Sequence, residues 1–393
     1  MGEGELLLAT SEFPPFEPGC GGGVGTWMEA VARGLAESAG AGSCVAVGSS
    51  PRMAGTTPPY PIYRIPDRLH RHARSVAWRW ALHQASRRRP RPRALLLATR
   101  QMARTPLAWA RARGIPTLLF CHGQEWLVRD QPSHERRTQQ LIERTPPDLY
   151  VANSRYTQSL LEGRGIPASR IVRVRPVSDL ARFATADAGR LRRRLGLGDA
   201  LVLLGAGRLV ERKGHDVLVE VAARLLPAFP TLHVVLAGEG PCRGAIEATV
   251  QRLGLDKRVH MLGQVDHDEL QDVFAAADVF AMATRDLSNH GSVEGYGIVY
   301  VEAGAAGVPV VATPVGGVVD VVQDDENGIF VKSADVDDVA AGVASLLADP
   351  GKRARLGQRG RELATGAYGL EEQTRVLLDA VAQAEAIVAR SSS

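Results

Sequence analysis

Short apolar runs alternate with amphipathic stretches along nearly the whole chain. Residues 6–9, 95–98, 117–120 and 149–152 are compact apolar blocks without the one-in-two polar alternation of a half-exposed strand, so they predict strands buried on both faces. Residues 27–38 and 156–163 place apolar side chains at helical spacing, and Ser154 stands where the second of these helices needs an N-cap. A second series begins at 201–206 and continues through 233–237, 259–262, 279–283 and 308–312. Helices are predicted between those runs at about 214–227, 242–253, 267–276 and 299–306. Strand blocks separated by helices are the signature of parallel α/β layers.

Two such series in 393 residues predict two domains. The stretch 173–183, with Pro176 and no clear period, reads as the linker. Beyond Asp349-Pro350 the pattern is helical to the end, with a long amphipathic helix from about 370 and a frayed terminus at Ser391-Ser392-Ser393. The predicted division is therefore 1–178, joined by the helix of about 370–393, and 179–369. Ligands of open α/β sheets bind beyond the carboxyl ends of the strands. Two such domains facing a cleft would present those ends to it.

Composition narrows the class. Hydrophobic content of 45% supports two cores, and Cys20, Cys44, Cys121 and Cys242 lack metal-ligand or disulfide spacing, which fits a reducing compartment. The N-terminus lacks a basic-plus-apolar leader and no run reaches the roughly 20 apolar residues of a membrane span, so a cytoplasmic protein is expected. Net charge is +4, yet Lys occurs only at 213, 257, 332 and 352, which makes Lys213 conspicuous. Arg is dense from Arg64 to Arg93. Within residues 68–89, Leu69, Ala73, Val76 and Trp80 fall at helical spacing with Arg and His on the other faces. Such a helix can lie on anionic lipid at the inner membrane face, or it can be an ordinary edge helix with a solvated face. Nucleic acid is not an expected partner, because no binding module accompanies the basic residues.

The most informative segment is Glu294-Gly-Tyr-Gly-Ile-Val-Tyr-Val-Glu302. Its two carboxylates stand eight positions apart, a little over two helical turns. If a helix starts near Gly297, both can address one ligand lying along its N-terminus. Free amides there favour a phosphate. A ligand with hydroxyls at its ends and phosphate in the middle describes a sugar nucleotide; the plain alternative is one capping and one surface Glu. Arg208 and Lys213, just after the run 201–206, would offer two fixed cations, one a fork and one a point charge. Gly22 and Gly23 lie in a glycine-rich turn after the first strand, where the backbone can approach a phosphate. That turn is not a P-loop. His122 and Gly123 follow the strand 117–120. Gly316-Gly317, Asp320 and Asn327-Gly328 are compatible with turn chemistry alone. The acidic clusters around Asp266, Asp324 and Asp335 read as solvated turns, so no metal is expected.

Together these residues resemble a retaining glycosyltransferase of the GT-B fold, family 4. The resemblance keeps motif order over nearly the whole chain: Phe13-Pro14-Pro15, Gly22-Gly23-Val24, His122-Gly123, Asn153 to Thr157, Gly207 to Gly214, Leu262-Gly263, Ala277-Asp278, Glu294 to Glu302 and Gly316-Gly317. The wording from Glu294 to Ala303, with Arg208 to Gly214, is most similar to the actinobacterial phosphatidylinositol mannosyltransferase branch, which uses GDP-mannose. Three departures stand out: extra residues at 17–20, Val177-Ser178-Asp179 in the linker, and the segment 286–293.

The resemblance implies roles. Glu302 would hold ribose hydroxyls and Glu294 the donor sugar. Arg208 and Lys213 would neutralise the diphosphate, helped by amides near Gly23, Gly297, Ile298 and Val299. The base would lie near Gly263 and Val265, and His122 would face the sugar and acceptor. The implied catalytic set is His122, Arg208, Lys213 and Glu294, with no cofactor or metal beyond a nucleotide-sugar co-substrate, GDP-activated. The acceptor would be a lipid headgroup or a small molecule, with peripheral membrane contact left open. A UDP-sugar donor, a nucleotide-sugar 2-epimerase and a non-catalytic sugar-nucleotide binder are the alternatives.

Overall fold

The computed structural model describes residues 5–10, 23–39, 44–48, 60–65, 71–87, 92–127, 133–266 and 269–392. The chain divides into two compact units, Met1–Ser178 with Leu370–Ser393, and Asp179–Gly369.

The first unit is built on β1 (Leu6–Thr10), β2 (Cys44–Gly48), β3 (Ile62–Arg64), β4 (Ala94–Leu97), β5 (Thr117–Cys121), β6 (Leu149–Ala152) and β7 (Ile171–Arg173). They form one sheet in the order β3-β2-β1-β4-β5-β6-β7, and every pairing is parallel. Its helices are α1 (Gly23–Ala39), α2 (Arg71–Ser86), α3 (Arg104–Arg111), α4 (Ser133–Arg144) and α5 (Arg155–Glu162). All residues of β1, β4, β5 and β6 are buried, which is why these strands are apolar but for Thr10 and Thr117 at their ends. Ser154 caps α5 by accepting the Thr157 amide at 3.1 Å.

The second unit contains α6 (Ala188–Leu195), β8 (Val202–Ala206), α7 (His215–Leu225), β9 (His233–Ala237), α8 (Arg243–Arg252), β10 (Val259–Gly263), α9 (Leu270–Ala275), β11 (Val279–Met282), α10 (Ile298–Ala305), β12 (Val310–Ala312), β13 (Gly328–Phe330), α11 (Val336–Leu347) and α12 (Pro350–Thr365). Its parallel sheet has the order β10-β9-β8-β11-β12-β13. Alternate residues of one apolar run serve two cores. Val202, Leu204 and Ala206 pack in the cluster of Phe280 and Tyr300, whereas Leu203 packs with Leu218 and Val234.

The last helix, α13 (Leu370–Ser392), belongs to the first unit and runs through Ser391 instead of fraying there. Leu377, Ala380, Val381 and Ala384 share a core with Trp27, Met28, Val31 and Leu35 of α1. Arg93 forks Glu385 at 2.9 and 3.0 Å, and the Arg175 amide donates to Gln373 at 2.8 Å.

Helix α2 differs from its sequence reading. Trp78, Ala81, Leu82 and Ala85 face the core, while Val76 is 67% and Trp80 58% exposed. Leu69 falls outside the described residues. The helix thus packs by one apolar stripe and presents a second, between basic side chains, to solvent. Val76 and Trp80, from the stripe read in the sequence, therefore lie on the solvated face. The sequence pattern names no strand at β2, β3, β7 or β13; β3, β7 and β13 are three-residue edge strands, too short to carry a pattern.

Candidate functional site

In the second sheet β8 and β11 lie side by side, but the chain leaves β8 towards β9 and β11 towards β12. The loops after them diverge at the carboxyl ends, where an open α/β sheet forms its binding crevice. Arg285, after β11, locks the two loops together. It forks Asp216 at 2.6 and 3.0 Å, donates to the Glu211 carbonyl at 2.7 Å and gives its own amide to the Arg212 carbonyl at 2.8 Å.

Across this junction Glu294 meets two cations. Lys213 Nζ lies 3.1 Å from Glu294 Oε2, and Arg212 Nη1 bonds the same oxygen. Lys213 also approaches Met282 Sδ at 3.5 Å. Lys213 and Glu294 are each only 9% exposed. Burial alone would push the Glu294 carboxyl up, but Lys213 and then Arg212 outweigh it and hold the group below the usual carboxylate range. The Glu294 carbonyl accepts the Gly317 amide at 2.8 Å. A Cβ at Gly317 would stand 1.9 Å from the Gly295 carbonyl oxygen, so the Gly316-Gly317 pair, read from sequence as a simple turn, is the close backbone buttress of this loop.

Helix α10 begins directly after Gly297, whose φ of 90° is left-handed and which caps the helix without a side chain. A Cβ there would meet the Tyr300 ring at 2.6 Å. With no side-chain cap, helix geometry leaves the amides of Ile298 and Val299 without intrahelical partners, the arrangement that favours an anion. Glu302, one turn further on, is buried, and Arg182 Nη2 lies 3.5 Å from its Oε1.

The other sequence-derived residues distribute as follows. Arg208 is exposed after β8 and has no ion-pair partner among the described residues. Gly263 ends β10 with a φ of 70°, its carbonyl accepting the Gly238 amide at 2.8 Å, and Val265 packs half-buried on the core that holds Tyr300. Arg208, Lys213, Gly263, Val265, Glu294, Gly297 and Glu302 therefore all follow the carboxyl ends of one parallel sheet.

His122 and Gly23 belong to the first unit. His122 follows β5, and its Nε2 is 2.7 Å from the Ala98 carbonyl after β4. A carbonyl only accepts, so Nε2 carries the proton. Trp27 packs edge-on at 5.4 Å, the His122 amide bonds Glu125 at 2.6 Å, and Asn153 Nδ2 donates to the His122 carbonyl at 3.2 Å. Gly23 is the first residue of α1; Gly22 and the Phe13-Pro14-Pro15 motif lie outside the described residues.

Sequence reading missed Arg212, Arg182 and the Arg285–Asp216 fork. In an Arg-rich chain none carried a distinguishing local signal. Among the described residues no three His, Cys, Asp or Glu side chains group to hold a metal ion. Asp325 and Glu326 pair with Lys352, Arg355 and Arg359.

His215, the first residue of α7, has neither ring nitrogen hydrogen-bonded. Burial and then the Lys213 charge push it down to about 3, against a partial lift from Asp216. An unfolded His binds a proton near pH 6.5 and this one does not, so stability is complete above about 6.5 and falls towards pH 3. The slope is up to ~1.4 kcal/mol per pH unit. The denaturant midpoint is expected to drop between pH 7 and 5 in the wild type and less in His215→Phe; parallel profiles would overturn this.

Both units of the chain resemble known proteins. Residues 21–182 match the family described as Glycosyltransferase Family 4, and residues 188–363 match Glycosyl transferases group 1. A GDP-mannose-dependent alpha-(1-6)-phosphatidylinositol monomannoside mannosyltransferase of Mycolicibacterium smegmatis is 38% identical over 219 residues, 55% of this chain and 57% of that one. A D-inositol 3-phosphate glycosyltransferase of Xylanimonas cellulosilytica is 39% identical over 249 residues, 60% of this chain and 57% of that one. The matched stretch thus spans under two thirds of each relative. Among solved structures, sucrose-phosphate synthase from Thermosynechococcus elongatus superposes with a TM-score of 0.79 at 21% identity, covering 97% of this chain and 99% of that one. Anabaena HepE in complex with UDP and glucose gives 0.78 at 17% identity, covering 97% and 100%. At these identities the structures speak for the fold. With family matches on both parallel Rossmann-like units, the chain belongs to glycosyltransferase family 4 and has the GT-B fold.

Proposed function

We propose that the protein transfers a sugar, mannose-like and activated as a GDP-sugar, to a lipid headgroup or small-molecule acceptor with retention of anomeric configuration. The observation that carries this reading is the Glu294 carboxylate. One of its oxygens is held by Arg212 and Lys213, and no described residue donates to the other, beside an uncapped helix start. That is a place for a sugar hydroxyl next to a diphosphate. GDP is favoured over UDP by the mannosyltransferase relatives, whose names specify GDP-mannose dependence. Arg208, Lys213 and the Ile298 and Val299 amides would bind the diphosphate, Gly263 and Val265 would border the base, and Glu302 would hold the ribose. The unit carrying Glu294 would bind the donor and the unit carrying His122 the acceptor.

Breaking the anomeric C–O bond leaves negative charge on the diphosphate and positive charge on the sugar. Fixed cations and a helix N-terminus stabilise the first as it develops. The acceptor oxygen would attack the face the diphosphate leaves, and a departing phosphate oxygen would take the acceptor's proton. Glu294 and Glu302 are then ligand-holding groups, not the acid/base pair of a hydrolase.

Titration with GDP, UDP and ADP, followed by mass spectrometry of acceptors glycosylated in cell extract, tests the reading. GDP is expected to bind tightest. UDP binding alone would favour the runner-up donor, and free epimerised sugar without acceptor would replace transfer by epimerisation. Turnover is expected to persist in EDTA, because built-in cations do what a divalent ion does elsewhere. Complete loss, restored by Mg²⁺ or Mn²⁺, would overturn that part.

A lipid-headgroup acceptor also makes a prediction for α2. No helix among the described residues is long and apolar enough to cross a membrane. Exposed Trp80 and Val76 beside Arg79 are suited to an anionic interface instead. Anionic liposomes are expected to recruit the protein, and high salt or Trp80→Ala to release it. No recruitment at low salt would favour a small soluble acceptor.

A further inference from the structure

We propose that Arg212 is a charge-balancing residue, its guanidinium holding Glu294 Oε2 so that the Lys213 ammonium stays available to the donor diphosphate. The proposal rests on the donor-binding reading above and adds a residue to it.

The geometry carries the idea. Arg212 and Lys213, adjacent in sequence, converge on one oxygen of one carboxylate. The side chains of Arg212, Lys213 and Glu294 are 14%, 11% and 12% exposed, so water screens their charges little. Two cations against one anion leave a single positive charge in this triad. Without Arg212, Lys213 and Glu294 would cancel, and Arg208 alone would face a diphosphate that gains negative charge as it leaves. With Arg212 present, Arg208 and the triad together offer two positive charges. Sharing Oε2 also keeps Oε1 open for a sugar hydroxyl.

Arg212 is held in a position to do this. Its carbonyl accepts the Arg285 amide at 2.8 Å, and the Arg285 side chain is fixed by Asp216 at 2.6 Å and the Glu211 carbonyl at 2.7 Å. The fork therefore sets the backbone from which Arg212 reaches across to Glu294, eighty-two positions away. Arg212 is a positioning residue, acting through Glu294 and Lys213.

The test is calorimetric titration of GDP and UDP, and of guanosine and uridine, into four proteins: wild type, Arg212→Lys, Arg212→Met, and the double variant Arg212→Met/Glu294→Gln. Arg212→Met is expected to weaken the diphosphate bound by the wild type roughly 10–100-fold, leaving its nucleoside within about threefold. Arg212→Lys should stay within about fivefold, because charge matters here more than the fork. The decisive protein is the double variant. Removing the carboxylate as well frees Lys213, and diphosphate affinity should return to within about threefold of wild type while transfer stays low. An Arg212→Met variant that binds the diphosphate like wild type overturns the proposal. So does a double variant as weak as the single one, which would mean that Arg212 touches the phosphate itself or only supports the fold. If the wild type binds neither GDP nor UDP, the donor-binding reading fails instead, and this proposal falls with it.

Discussion

Replacing Arg208 by Ala is expected to slow sugar transfer by roughly 10²–10³, the usual effect of deleting one charged donor from a preorganised site. Arg208 follows β8 on the loop that also carries Lys213, yet its situation differs. Lys213 is buried against Glu294, whereas Arg208 is exposed and has no ion-pair partner among the described residues. Deleting it therefore removes a cation without stranding a buried carboxylate, and folding stability should stay within about 0.5 kcal/mol of wild type. Nucleotide diphosphate binding should weaken with transfer, while nucleoside binding holds. Calorimetry with GDP and guanosine, beside steady-state rates, separates these quantities. An unchanged rate would put the diphosphate elsewhere.

The second large effect separates the two carboxylates. Glu302→Gln should weaken GDP itself, because ribose hydroxyls lose charge-assisted bonds worth about 1.5–3 kcal/mol. Glu294→Gln should leave GDP affinity undiminished and still reduce transfer, because its proposed partner is the sugar. Neutralising Glu294 also releases Arg212 and Lys213, so any change in GDP affinity should be upward. Glu302 is paired with the largely buried Arg182, so its Gln variant also removes an ion pair. A thermal melt must accompany its titration. Equal losses of GDP affinity in the two variants would show that the eight-residue spacing does not divide the ligand between sugar and ribose.

Much of this was legible before any coordinates. The buried strands were visible because a strand covered on both faces cannot alternate with polar residues. The Ser154 cap was visible because an N-cap is a local arrangement of four residues. The helix start at Gly297 was visible because a glycine before an apolar helical run marks a left-handed residue that other side chains resist. Helix α2 shows where such reading stops. Val76 and Trp80 are four apart, and so are Trp78 and Leu82. Both pairs fit one face of a helix, and periodicity alone cannot choose which one meets the core. Packing against the first sheet chose Trp78 and Leu82.

By itself, then, the sequence determined the parallel α/β class, the places where strands pass into helices, and the residue types waiting at those junctions. These follow from local pattern: the period of apolar burial, caps and glycine stereochemistry. The tertiary structure alone decided that β8 lies beside β11, so that Arg212 and Lys213 share one oxygen of Glu294. It also decided that Arg182 comes to Glu302 and that Arg285 locks the two loops through Asp216. Strand order and register fix which distant loops meet, and no local pattern encodes a contact eighty-two residues apart. Charge alone could not have chosen Arg212 from so many arginines; a carboxylate within reach in a water-poor crevice did.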